Sequence, residues 1–245
     1  MSQTWLVVPA AGQGRRMGAD KPKQYLPLAD GQPVLAHTLA RLYAAFPSAR
    51  LVLCLDVDDG WFSPHWVPFA DWQRVPGGSE RMDSVLNALH AMAAENDDVV
   101  LVHDVARPCV TKGDLVALYQ AASSHAAGAL LAMPVADTMK RADAQCLSTQ
   151  TESREGLWHA LTPQGFRFGL LRRALETARQ QHTMVTDEAS AVEALGEYPQ
   201  LVSGRRDNLK ITHPDDLALA VAIMDAQEAH AATRLLTTEP QANGL

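Results

Sequence analysis

The sequence predicts an α/β fold, a Rossmann-like three-layer sandwich around a mostly parallel sheet, from three observations. Short runs of consecutive apolar residues recur at 5–9, 51–55, 99–102 and 129–133. Stretches with helical spacing separate them, the alternation expected of βαβ units. The runs are apolar at successive rather than alternate positions, as in strands covered on both faces. With 245 residues and 47% hydrophobic content, the chain has enough material for one large core.

Taken in order, residues 5–9 read as a buried strand closed by Pro9. A Gly-rich polar stretch follows. Residues 33–46 then place apolar side chains at 34, 35, 39, 42, 43 and 46, a helix with Pro33 in its first turn. Residues 51–55 form a second strand, ended by the acidic Asp56, Asp58 and Asp59. Residues 61–72 are aromatic and broken by proline, a short helix or a loop. After the turn Pro76-Gly77-Gly78-Ser79, residues 80–95 read as a helix, 99–102 as a strand, 114–122 as a helix and 129–133 as a strand.

From 134 to 155 the chain is polar and has no helical stripe. Internal insertions of this length are uncommon without a function, and this one reads as a β-arm used for partner contact. Helical patterns resume at 168–180 and 187–195. Residues 199–202 read as a last strand and 213–229 as a long helix led by Pro214-Asp215-Asp216. Residues 231–245 lack periodicity and read as a flexible tail. With no repeat and no linker in between, residues 1–230 are expected to form a single domain that carries the arm.

The net charge of −7 gives no overall attraction to nucleic acid or to anionic membranes, and neither is expected as a partner. Cys54, Cys109 and Cys146 are widely spaced, which argues against a disulfide framework or a thiolate zinc site. The first residues carry no positive charge, the apolar run after them is too short for a signal peptide, and no stretch is long enough to span a bilayer. A cytoplasmic protein is expected.

In an open parallel sheet, ligands bind beyond the carboxyl ends of the strands, so the segments after each apolar run are the informative ones. After the first run, residues 9–26 combine small residues (Ala10, Ala11, Gly12, Gly14) with Arg15, Arg16, Lys21 and Lys23, which against Asp20 leave a local charge of +3. Small residues let backbone N–H groups approach a ligand, and clustered cations suit phosphate. No Gly-Lys-Ser/Thr tripeptide makes this a P-loop, and the glycine spacing G-x-G-x-x-x-G departs from the dinucleotide fingerprint. A solvated loop is the alternative. The third strand ends in His103-Asp104-Val105-Ala106-Arg107-Pro108. A carboxylate facing a phosphate-binding loop suits Mg²⁺, while Asp104 taken alone reads equally as a helix cap or as an ion-pair partner of Arg107. His103 reads as scaffold. The Gly77-Gly78 turn suits backbone readout of a base or phosphate. Residues 203–212 are again basic, and Lys210 beside Ile211 is placed to point across a site. Thr186-Asp187-Glu188 reads as a helix start with Thr186 as its cap.

These motifs together resemble the 2-C-methyl-D-erythritol 4-phosphate cytidylyltransferase family of the non-mevalonate isoprenoid pathway. The matching elements run in order. They are P-A-A-G-x-G-R-R-M-G from Pro9, P-K-Q-Y-L from Pro22, G-G-x-x-R-x-x-S from Gly77 and H-D-x-A-R-P from His103. D-T-M-K from Asp137, G-L-W-H-A-L-T-P-Q from Gly156, T-D-E-A-S from Thr186 and D-N-x-K-I-T from Asp207 complete the series. The resemblance implies a homodimeric nucleotidyltransferase that uses CTP, methylerythritol phosphate and Mg²⁺ or another divalent cation. It implies that Arg16 and Lys23 stabilise the transition state at the α-phosphorus and that Lys210 positions the reactants. Ala10, Ala11, Gly12, Gly14, Gly78, Ser84 and Asp104 fall at CTP-binding positions. Asp104, Arg107, Thr138, Arg154, Thr186 and Lys210 fall at acceptor-binding positions. Asp104 also lies near the metal, which the CTP phosphates mainly hold.

In the family the arm crosses to a second subunit, so Arg154 would act catalytically on the partner's substrate. Ser79 stands where an acidic residue is common, and Val105 where alanine is. A fused cyclase-like domain is not expected at this length. The alternatives are a cytidylyltransferase for another alditol phosphate, such as ribitol 5-phosphate, and a non-catalytic nucleotide-binding module.

Overall fold

In the computed structural model, which describes residues 2–12, 14 and 17–237 (only the backbone at 234–237), the first apolar run is β1 (Thr4–Pro9). Next come α1 (Val34–Ala45), β2 (Arg50–Leu55), β3 (Trp72–Pro76), α2 (Arg81–Ala91) and β4 (Val99–Val102). They are followed by α3 (Lys112–Ser124), β5 (Ala129–Pro134), β6 (Met139–Ala142), β7 (Ser148–Glu152) and β8 (Trp158–Arg167). The chain ends with α4 (Phe168–Gln180), α5 (Glu188–Glu193), β9 (Gln200–Ser203) and α6 (Asp215–Thr237).

Seven strands form one sheet in the order β3-β2-β1-β4-β8-β5-β9. All are parallel except β8, which runs antiparallel to both β4 and β5. The sheet's side chains divide by alternate residues. Leu6, Val8, Leu51, Leu53 and Leu101 pack on one face with Leu35 and Leu39 of α1 and Leu115 and Leu118 of α3. Val7, Val52, Val100 and Val102 pack on the other with Val85 and Leu89 of α2, Leu171 of α4 and Val192 of α5. Both faces are dry, which is why these strands read as unbroken apolar runs. A third, smaller cluster joins Ala220 and Met224 of α6 to Met17, Ala106 and Ile211, tying together three of the loops at the carboxyl end of the sheet.

Two strands lie outside the predicted pattern. The aromatic segment makes a 3-10 turn at Pro64–Trp66 and then enters the edge strand β3, whose only buried residue is Val75. β8 is buried from 161 to 166 yet contains Thr162, Pro163, Gln164 and Gly165, so no apolar run marks it. The helix expected at 80–95 is shorter, with Glu80 as N-cap in a capping box with Asp83. Residues 139–152 form a two-stranded antiparallel hairpin, β6 with β7, separate from the main sheet. It is polar and mostly exposed, with Arg141 bonded to Glu152 at 2.5 Å. α6 continues past His230 to Thr237, where the sequence pattern suggested a flexible tail. Alanine and leucine favour helix there, and no glycine or proline intervenes before Pro240. The rest of the expected tail, 238–245, lies outside the described residues.

From β1 the chain turns to β2 on one side, and β4 lies on the other. Such a reversal opens a crevice beyond the carboxyl ends of the strands.

Candidate active site

That crevice is a cleft of about 540 Å³, within the range of small-ligand sites. Pro9, Ala10, Ala11, Gly12 and Gly14 form one wall. The buried Gln24 fixes it by donating Nε2 to the Ala10 carbonyl at 2.7 Å. Gly14 has φ +62°, and a Cβ there would lie 3.0 Å from Lys23 Cγ. The glycine therefore permits the left-handed turn and leaves room for the lysine that follows. Lys23 Nζ donates to the Ile211 carbonyl at 2.9 Å, tying this loop to the segment before α6. Arg15 and Arg16 lie outside the described residues.

The opposite wall comes from the turn between β3 and α2. A Cβ on Gly77 would fall 2.1 Å from the Ala11 Cβ, so the two walls meet at a distance only glycine allows. Gly78 N–H donates to Ser84 Oγ at 2.9 Å, which turns the Gly78 backbone toward the first turn of α2.

Asp104, at the end of β4, is the electrostatic centre. Its backbone N–H donates to Thr162 Oγ1 at 3.0 Å. Oδ1 accepts from Arg81 Nε at 2.9 Å, and Oδ2 lies 2.7 Å from Lys210 Nζ. Burial works to raise its pKa, but the Arg81 and Lys210 cations beside it hold the carboxyl well below the usual range. Arg107 is a more distant partner, with Nε 3.9 Å from Oδ2. Its guanidinium is buried and donates Nη1 to the Asn208 carbonyl at 2.7 Å.

His103 is fully buried, its ring nitrogens 3.1 Å from Thr162 Oγ1 and 3.1 Å from the Arg107 carbonyl. Burial pushes its pKa down to about 4, so the ring is a neutral strut at pH 7. Cys109 is packing: its thiol is buried against α6 and burial pushes it up to about 11.

Ala10, Ala11, Gly12, Gly14, Lys23, Gly78, Ser84, Asp104 and Lys210 thus line one cleft. Arg107 stands behind Asp104. Thr186 lines an adjoining cavity of about 170 Å³, across Arg81 and Glu188 from the cleft. The cap of α5 is Asp187 rather than Thr186, its carboxylate accepting from Ser190 N at 2.9 Å. Thr138 and Arg154 are on the arm, outside the lining of the cleft, with Arg154 donating to the Ala136 carbonyl. Among the described residues, no group of three ligating side chains is placed to hold a metal.

Sequence reasoning assigned no role to Arg81, Glu188, Gln24, Thr162, Gln164 or Asn208. All except Arg81 are almost fully buried polar side chains. Each sits in or beside a quoted motif, but a polar residue there reads as surface until the fold closes over it.

Residues 4–226 match the 2-C-methyl-D-erythritol 4-phosphate cytidylyltransferase family. The chain is 64% identical over 231 residues to the protein of that name from Chromohalobacter salexigens, covering 94% of this chain and 92% of that one. It is 51% identical over 225 residues to the one from Shewanella amazonensis, covering 91% and 94%. The crystal structure of the Francisella tularensis enzyme superposes with a TM-score of 0.79 at 34% identity, covering 91% of this chain and all of that one. The chain therefore belongs to the 2-C-methyl-D-erythritol 4-phosphate cytidylyltransferase family.

Proposed function

We infer that the protein transfers the cytidylyl group of CTP to 2-C-methyl-D-erythritol 4-phosphate, forming 4-diphosphocytidyl-2-C-methyl-D-erythritol and pyrophosphate for isoprenoid biosynthesis. The observation that carries this reading is the cleft itself. Small backbone-presenting residues line one part of it, and Lys23, Lys210 and Asp104 converge in another.

The nucleophile is a phosphate oxygen, already anionic at pH 7, so no general base is required. That agrees with His103, which is buried, neutral and bonded at both nitrogens. The barrier is electrostatic, because an anion attacks a polyanion in line while charge grows on the α-phosphate and the leaving pyrophosphate. Lys23 and Arg16 meet that growing charge, and Lys210 orients the α-phosphate. Ala10, Ala11, Gly12, Gly14, Gly78 and Ser84 hold cytosine and ribose. Mg²⁺ or a similar divalent cation supplies charge neutralisation of the triphosphate. The donor set would fit an ion brought in on phosphate oxygens, with Asp104, Asp56 and Glu80 as carboxylates lining the cleft among the described residues.

Asp104, Arg107, Thr186 and Lys210 receive the acceptor from this subunit. Thr138 and Arg154 receive it from the arm of a second, so the active form is a homodimer in which Arg154 serves the partner's substrate. Two facts support this. An exposed two-stranded hairpin is marginal by itself, and Leu147 at its tip and Leu157 and Trp158 at its base are 64%, 43% and 38% exposed. The widely spaced free thiols support a cytoplasmic setting.

The direct test is product identity. Incubated with CTP, methylerythritol phosphate and Mg²⁺, the protein is expected to yield the diphosphocytidyl alditol by mass spectrometry. A coupled product with ribitol 5-phosphate alone would favour the other acceptor. No product with either would favour a binding module.

A further inference from the structure

Arg81 opens α2 at the rim of the cleft, and the reaction described above does not use it. Its guanidinium is divided between two carboxylates from different elements. Nη1 and Nη2 donate to the two oxygens of Glu188 at 2.5 and 3.0 Å, and Nε donates to Asp104 Oδ1 at 2.9 Å. Glu188, the first residue of α5, is 1% exposed. Gln164 of β8 fixes its neighbours on both sides, donating to Asp187 Oδ2 at 2.7 Å and accepting from Ala189 N–H at 2.8 Å.

A carboxylate buried against a single cation is poor value for stability, since an apolar residue of similar size often does as well. Burial pushes the Glu188 carboxyl above its usual range even with Arg81 beside it. What the charge achieves is geometric. An arginine facing one carboxylate closes on it with two parallel N–H···O bonds. Such a pair with Asp104 would occupy both Asp104 oxygens. Here Glu188 takes the fork, Arg81 reaches Asp104 through Nε alone, and Oδ2 remains with Lys210 Nζ at 2.7 Å.

We propose that Glu188 and Arg81 are positioning residues for the transfer reaction. Glu188 holds the Arg81 fork away from Asp104, and this keeps Lys210 on the second Asp104 oxygen, facing the nucleotide's phosphates. The inference rests on the cytidylyltransferase reading of the cleft.

Glu188→Gln keeps the shape and one acceptor but removes the charge, and Arg81→Lys keeps a charge but removes the fork. Single-turnover rates, with enzyme in excess of CTP so that slow variants remain measurable, test each variant alone and in a Lys210→Ala background. Melting temperatures accompany each. Either single variant is expected to slow transfer about 10- to 100-fold, the effect of one charge-assisted hydrogen bond on a transition state. In the Lys210→Ala background the same changes should cost less than about threefold, because the residue they position is gone.

Equal fold-losses in both backgrounds would mark a purely structural role and overturn the proposal, as would wild-type rates in the single variants. If Glu188→Gln fails to fold, Arg81→Lys carries the same comparison. The wild-type rate with CTP and methylerythritol phosphate is read separately. Its absence contradicts the activity, whereas a normal wild-type rate with unaffected variants contradicts the positioning role alone.

Discussion

The Gly14 turn leaves space for the stem of Lys23, and the Ile211 carbonyl accepts from its ammonium and helps to hold it. A cation fixed before substrate arrives needs no reorganisation when charge develops, and removing one such donor typically costs ~10²–10³ in rate. Lys23→Ala and Arg16→Ala are each expected to lose about that factor in kcat, with melting temperatures close to wild type. Near-native turnover in either would contradict its role. The cations of this loop were legible in the sequence because charge clustering needs no knowledge of the fold. The partners of Asp104 were less so. Arg107 stands three residues away and invited pairing, yet Arg81 and Lys210, 23 and 106 positions distant, approach to 2.9 and 2.7 Å. Proximity of that kind is produced by the sheet order and cannot be read from spacing along the chain.

Among the elements, those buried on both faces announced themselves and those with a mixed role did not. β1, β2, β4 and β5 appear as apolar runs because helices cover each side. β3 is an edge strand with a single buried residue, and β8 spends core positions on Thr162 and Gln164, which serve Asp104 and α5. A strand that supports a site therefore loses the pattern by which strands are recognised. The arm was legible for the opposite reason, its lack of any core-facing stripe. If the arm of one subunit completes the site of the other, mixing two inactive homodimers, Arg154→Ala and Lys23→Ala, should restore activity after subunit exchange. One heterodimer site then carries both changes and the other carries neither, so recovery should reach about a quarter of the wild-type rate at full random exchange. No recovery despite demonstrated exchange would exclude the shared site.

For the whole molecule, the net charge of −7 does not describe the cleft, whose lining sets Lys23, Lys210 and Arg81 against Asp56, Glu80 and Asp104. The floor of that cleft also links it to folding. His103 has a folded-state pKa of about 4 against an ordinary 6.5, so the unfolded chain binds more protons between those values. The stability from keeping this ring neutral is fully present above about pH 6.5 and is lost as pH falls toward 4. Within that window His103→Gln is expected to flatten the pH dependence of unfolding by up to about 1.4 kcal/mol per pH unit, the slope of one proton. Equal slopes for variant and wild type would show that the histidine titrates normally. Activity should be governed by the cleft rather than by this ring. Pyrophosphate release measured for all four nucleotides, each with methylerythritol phosphate or ribitol 5-phosphate and with or without Mg²⁺, reads that directly. Release confined to CTP with methylerythritol phosphate and Mg²⁺ is the predicted result. Equal release with another nucleotide, a preference for ribitol phosphate, or no release under any condition would contradict it.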